Sequence, residues 1–187
     1  MRTLIAATLG LTLTTLAPPA LAETVEDPNY TTQNLMIYND RGQVLLQRNF
    51  MGWSTPGLRY DKRVSIRQSL GELASNYGLT ISDLRLSGLF SYQYGYTPAI
   101  STRSHYSATA AGGTATAPKG IDEVRWFDRA DAIAAIASDT QKSPPALVAI
   151  SRQMLSHPET IWSGSFYIWR EGEAYLSKVV EPLEPIG

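Results

Sequence analysis

From Val64 to Tyr77 the apolar residues Ile66, Leu70, Leu73 and Tyr77 recur at helical spacing and form one stripe, with strand-like runs on either side. A helix with one apolar stripe needs a surface to bury it, and the neighbouring runs supply a sheet. Gly78 is placed to end the helix in a left-handed cap, with Leu79 folding back. Upstream, "NLMIYNDRGQVLLQRN" has two short apolar runs around Asn39-Asp40-Arg41-Gly42 and reads as a β-hairpin. Downstream, "DLRLSGLFSYQYGY" reads as a strand or strand pair broken near Gly88, and "EVRWFD" as a later strand. Asp128 is placed to cap the alanine-rich helix "RADAIAAIA", and Pro144-Pro145 opens a further helix, "ALVAISRQML". The end of the chain alternates around Glu171-Gly172-Glu173 like a last hairpin. Strands and helices are interleaved, so the fold class is α/β or α+β, with a mixed sheet in one domain.

The remaining segments predict little regular structure. "FMGWSTPG" reads as a turn-rich connector. Residues 99–120, rich in Ser, Thr, Ala and Gly, read as a long surface loop with a strand at "SHYSATA". At the start, Arg2, the apolar run Leu4 to Leu16 and Ala20-Leu21-Ala22 have the layout of a secretory signal peptide over residues 1–22. The competing reading is an uncleaved anchor, although the run is short for a membrane span. Residues 23–32 are expected to form a flexible leader. Export places the mature protein in a periplasm or outside the cell, without a membrane span.

There is no cysteine, which excludes disulfides, thiol nucleophiles and cysteine metal sites. Loss of Arg2 with the signal takes the 16 basic and 17 acidic side chains to a net charge of −2. So small an imbalance argues against general nucleic-acid binding. His105 and His157 are the only histidines, and neither has the neighbours of a zinc site or a serine triad. "GGTATAPKG" lacks the strand–loop–helix setting of a phosphate loop.

"WSTPG", a loop, and a helix ending "GELASNYGL" together resemble the signature of the Nudix hydrolases. That signature runs Gly, five residues, Glu, seven residues, Arg-Glu-apolar, one residue, Glu-Glu, one residue, Gly-apolar. With Gly57 first, Glu72, Leu73, Gly78 and Leu79 fall on family positions, Arg63 stands for the loop glutamate and Gly71 for the arginine. Ser75 and Asn76 replace the glutamate pair. A second placement matches Trp53, Pro56 and Gly57 to the family's Trp-x-x-Pro-Gly and accepts one loop deletion, which puts Val64 or a neighbour at the loop acid. The first hairpin and "DEVRWFDRADAIAAI" are also similar to family elements. The resemblance implies a Nudix-like α/β/α sandwich over residues 33–156, with 157–187 an additional C-terminal hairpin packed on it.

In that family the helix glutamates hold magnesium or manganese, which bridges a diphosphate and activates water. Hard divalent cations need several oxygen ligands, carboxylates above all. Here only Glu72 remains, as candidate metal ligand and catalytic acid. Asp61, Asp83, Asp122 or Glu123 would have to supplement it, and the resemblance points most to Glu123. The competing reading leaves Glu72 solvated or paired with Arg67 or Arg125. Arg59, Lys62, Arg63 and Arg67 make the loop basic where the family is acidic, which suits an anionic ligand held without metal or simply a solvated face. Phe90, Tyr92, Tyr94 and Tyr96 alternate along a strand and either line a ligand wall, with Tyr92 or Tyr94 in contact, or pack in the core.

These features predict a binding or interaction protein, a pseudoenzyme without a cofactor, for an anionic small molecule or a protein partner. The alternative is a divergent metal-dependent hydrolase of diphosphate-linked substrates.

Overall fold

The computed structural model describes residues 30–60, 63–138 and 143–187. The signal segment, residues 23–29 of the expected leader, Asp61 and Lys62 lie outside them. Strand β1 (Thr31–Tyr38) turns into β2 (Val44–Asn49) through Asn39, whose Oδ1 accepts from the Arg41 and Gln43 amides at 3.0 and 2.9 Å. Gly42 closes the turn at φ 74°, a conformation glycine adopts without strain. Thr31 and Thr32, expected in the leader, belong to β1.

The connector contains one short strand and a second begins at its last residue, contrary to expectation. β3 (Gly52–Ser54) pairs with β2, and β4 (Gly57–Tyr60) pairs with the first half of β1. Strands of three or four residues are too short to show a periodicity, so only their pairing defines them. Helix α1 (Ile66–Asn76) follows, with Ser65 Oγ accepting from the Gln68 amide at 3.1 Å. It stops where expected: Gly78, at φ 74°, donates its amide to Ser75 O at 2.9 Å.

β5 (Leu79–Tyr94) and β6 (Ile100–Gly113) form the long antiparallel centre of the sheet. The break expected near Gly88 is a register shift within β5 rather than its end. A side chain at 88 would meet the Phe90 ring at 2.5 Å, which accounts for the glycine. The expected surface loop is largely replaced by β6. Its Ser, Thr and Ala residues carry a weak strand signal, but β5 on one side and β1 on the other satisfy its backbone.

β7 (Glu123–Phe127) pairs with β2, followed by α2 (Arg129–Ala137) and α3 (Pro145–Ser156). Asp128 stands at the α2 N-cap but makes no side-chain cap; its carboxylate accepts from Gln43 Nε2 at 3.2 Å instead. β8 (Trp162–Glu171) and β9 (Ala174–Pro185) form the last hairpin, and β8 joins the sheet parallel to β5. The nine strands run β3-β2-β1-β6-β5-β8-β9, with β4 on β1 and β7 on β2.

Alternation along the strands divides the core in two. Leu35, Ile37 and Leu45 pack with Leu70 and Leu73 of α1 and with Tyr77 at its C-cap. Met36, Val44, Leu46, Phe90, Tyr92 and Phe166 pack with Ile136 of α2 and with Ile150 and Met154 of α3. A mixed sheet thus lies between α1 and the α2–α3 pair, an α/β/α sandwich.

Candidate ligand cavity

A cavity of about 340 Å³ opens on the α2–α3 side of the sheet. Strand register assembles it. Arg103 lies opposite Phe90 on β5 and Thr32 on β1, while His105 lies opposite Gly88 and Asn34. Tyr92 and Tyr94 continue the same face of β5, and Trp53 and Tyr175 complete an aromatic wall.

The Arg103 guanidinium carbon sits 4.8 Å from the centre of the Tyr92 ring, and Nη2 donates to Tyr94 Oη at 2.9 Å. Its Nε is buried without a hydrogen-bond partner among the described residues, as are Tyr92 Oη and His105 Nδ1. Two other arginines have acids: Arg85 grips Glu159 at 2.5 and 3.0 Å, and Arg125 pairs with Glu123. Among the described residues Arg103 has no carboxylate partner. A half-buried guanidinium in that position favours an anion supplied from outside the chain.

His105 is buried edge-on to Phe90, with ring centres 5.3 Å apart, and Asn34 Nδ2 lies 3.3 Å from its Nε2. Burial, helped by the Arg103 charge, pushes its pKa down to about 3, so the ring is neutral near pH 7. Burial likewise raises the Tyr92 hydroxyl pKa, which keeps the phenol protonated.

The box helix presents a separate, smaller concavity of about 120 Å³, lined by Arg59, Tyr60, Ser69, Glu72 and Asn76 among others. Glu72 is exposed and accepts from Gln68 Nε2 at 3.0 Å, so neither Arg67 nor Arg125 is the partner expected for it. Ser75 Oγ donates back to Gly71 O at 2.9 Å. Glu123 is engaged by Arg125. Arg59 lies over the Tyr30 ring at 3.7 Å, and Arg63 and Arg67 are exposed.

Arg59 and Arg67, unlike Tyr92 and Tyr94, therefore do not face the cavity, and Lys62 lies outside the described residues. Arg67 and Glu72 travel with α1, which packs on the opposite face of the sheet from Tyr92. The cation brought to the tyrosines is Arg103, which the sequence reading missed. Its signal was "TRSH", where Arg103 and His105 alternate and would share a face if the segment were a strand. Tyr92 is fully buried and also lines the cavity, so core and wall are both its roles.

Among the described residues the donors around Glu72 do not fit magnesium or manganese. One exposed carboxylate, a hydroxyl committed to a backbone carbonyl and a neutral amide fall short of the anionic oxygen set that such ions need. Among the described residues no three of His, Asp and Glu converge on one point.

This arrangement of sheet and helices is the fold of the Nudix hydrolases. The mutator MutT protein from Bacillus halodurans superposes with a TM-score of 0.62 at 18% identity, over 83% of this chain and 98% of that one. A Nudix hydrolase from Nitrosomonas europaea superposes with a TM-score of 0.54 at 16% identity, over 68% of this chain and 88% of that one. No family model matches the chain, and no curated protein matches it in sequence. Among the described residues no helix is long and apolar enough to cross a membrane.

Proposed function

We propose that this protein uses a Nudix fold to bind an anionic small molecule without a metal ion, with Arg103 as the charge that holds it. The carrying observation is the Arg103 guanidinium, set in an aromatic-walled cavity with no acid partner among the described residues. Tyr94 positions the guanidinium through Nη2, Tyr92 supports its face, and the aromatic wall receives a flat or apolar part of the ligand. The signal-like residues 1–22 support a role outside the cytoplasm. Isothermal titration of the purified protein with small anions, in parallel with Arg103→Gln, tests the reading. Binding should depend on Arg103 and weaken as salt rises. Anion binding that is indifferent to Arg103 overturns it.

Metal-dependent hydrolysis of a diphosphate-linked substrate is the second reading, favoured by the fold and by the exposed Glu72 on the box helix. Hydrolysis of a nucleoside diphosphate derivative that requires both magnesium and Glu72 would establish it in place of the binding role.

A further inference from the structure

The charges around the cavity narrow the ligand beyond "anionic". Among the described residues lining it there is one arginine, no lysine and no carboxylate. His105 adds no positive charge, being buried and neutral. Arg48 and Arg125 flank Trp53 at 5.9 and 5.5 Å from its ring centre, and Arg170 lies over Tyr175 at 5.1 Å. None of these three lines the cavity, and Arg125 is already paired with Glu123. The described lining can neutralise one negative charge. A diphosphate brings two or more, and burying the excess without a partner is strongly unfavourable.

The donor geometry agrees. Tyr94 takes one Nη2 hydrogen of Arg103. The other Nη2 hydrogen and those of Nη1 remain to donate to a carboxylate. Tyr94 and Tyr96, with ring centres 5.2 Å apart and planes 40° apart, line the cavity together with Trp53. Such a wall favours a flat ring.

Resting on the reading that Arg103 holds the anion, we infer that the cavity takes a flat monoanion, an aromatic carboxylate, and not a diphosphate. The two charge classes separate this ligand from the substrates that a metal centre on the box helix would hold.

The test titrates the whole mature protein with benzoate, 2-naphthoate, 2-naphthamide and ADP. The naphthoate is expected to bind, the amide at least about tenfold more weakly, and ADP more weakly than the naphthoate. Arg103→Gln, with its fold checked by its unfolding curve, should lose at least about tenfold in naphthoate affinity. The comparison of acid with amide needs no variant, so a misfolded Arg103→Gln leaves the test intact. The inference is overturned if ADP binds more tightly than the naphthoate, if amide and acid bind alike, or if neither carboxylate binds. ADP binding that is tighter than that of the naphthoate and is lost in Arg103→Gln would overturn only the monoanion inference and leave the anion reading standing. Binding of all anions unchanged by Arg103→Gln would overturn both.

Discussion

Arg103 covers the face of Tyr92, with its guanidinium carbon 4.8 Å from the ring centre, and neither Arg103 Nε nor Tyr92 Oη has a hydrogen-bond partner among the described residues. A cation–π contact accounts for the orientation of the guanidinium but does not neutralise it. The pair is a cation held in place with its charge unanswered.

Tyr94 fixes the other side of that guanidinium, so its hydroxyl should matter to ligand affinity more than to folding. Tyr94→Phe is expected to weaken 2-naphthoate binding by about 1 kcal/mol, roughly fivefold, with little change in the unfolding midpoint. Unchanged affinity in a titration would show that the Nη2 bond does not position the cation.

Among the described residues Glu72 has no companion acids for a metal centre. Millimolar magnesium or manganese should leave the melting temperature nearly unchanged, because a ligand stabilises only in proportion to its occupancy of the folded state. A rise of several degrees, lost in Glu72→Gln, would contradict this and favour the hydrolase reading.

Gly71 sits inside α1, and a side chain there meets nothing within 4 Å. Gly71→Ala should therefore stabilise the protein by about 0.5–1 kcal/mol in urea unfolding, because alanine loses less backbone freedom in a helix. Gly78 behaves oppositely: at φ 74°, with Thr114 O at 2.5 Å from an added Cβ, Gly78→Ala should cost about 1–2 kcal/mol or more. Equal effects at the two glycines would mean that local conformation does not govern them.

His105 is neutral in the folded protein well below its usual range, while in the unfolded chain it titrates normally. The unfolded state thus binds more protons below about pH 6.5, so this group costs stability as the pH falls from there towards about 3, by up to about 1.4 kcal/mol per unit. Comparing urea midpoints at about pH 7 and about pH 5 should show a decline that shrinks in His105→Gln. An identical decline in the variant would assign the pH dependence to other groups.

Local rules settled a good part of this protein in the sequence alone. The stripe Ile66–Leu70–Leu73–Tyr77 and the cap at Gly78 define α1 because helix periodicity and left-handed glycine are properties of neighbouring residues. The hairpin at Asn39–Gly42, the strand at 123–127 and the final hairpin were legible for the same reason. β3, β4 and most of β6 were not, since their backbones are ordered by partners distant in the chain: β1 joins β6 through pairs such as Asn34–His105. The site divides in the same way. Glu72 without its acid companions is visible in sequence, as is the alternation of Tyr92 and Tyr94. That Arg103, rather than the loop cations, stands beside those tyrosines depends on the register of β5 against β6 and on which face of the sheet α1 covers. Register and face are set by the burial of the whole sheet, and only the tertiary structure decides them.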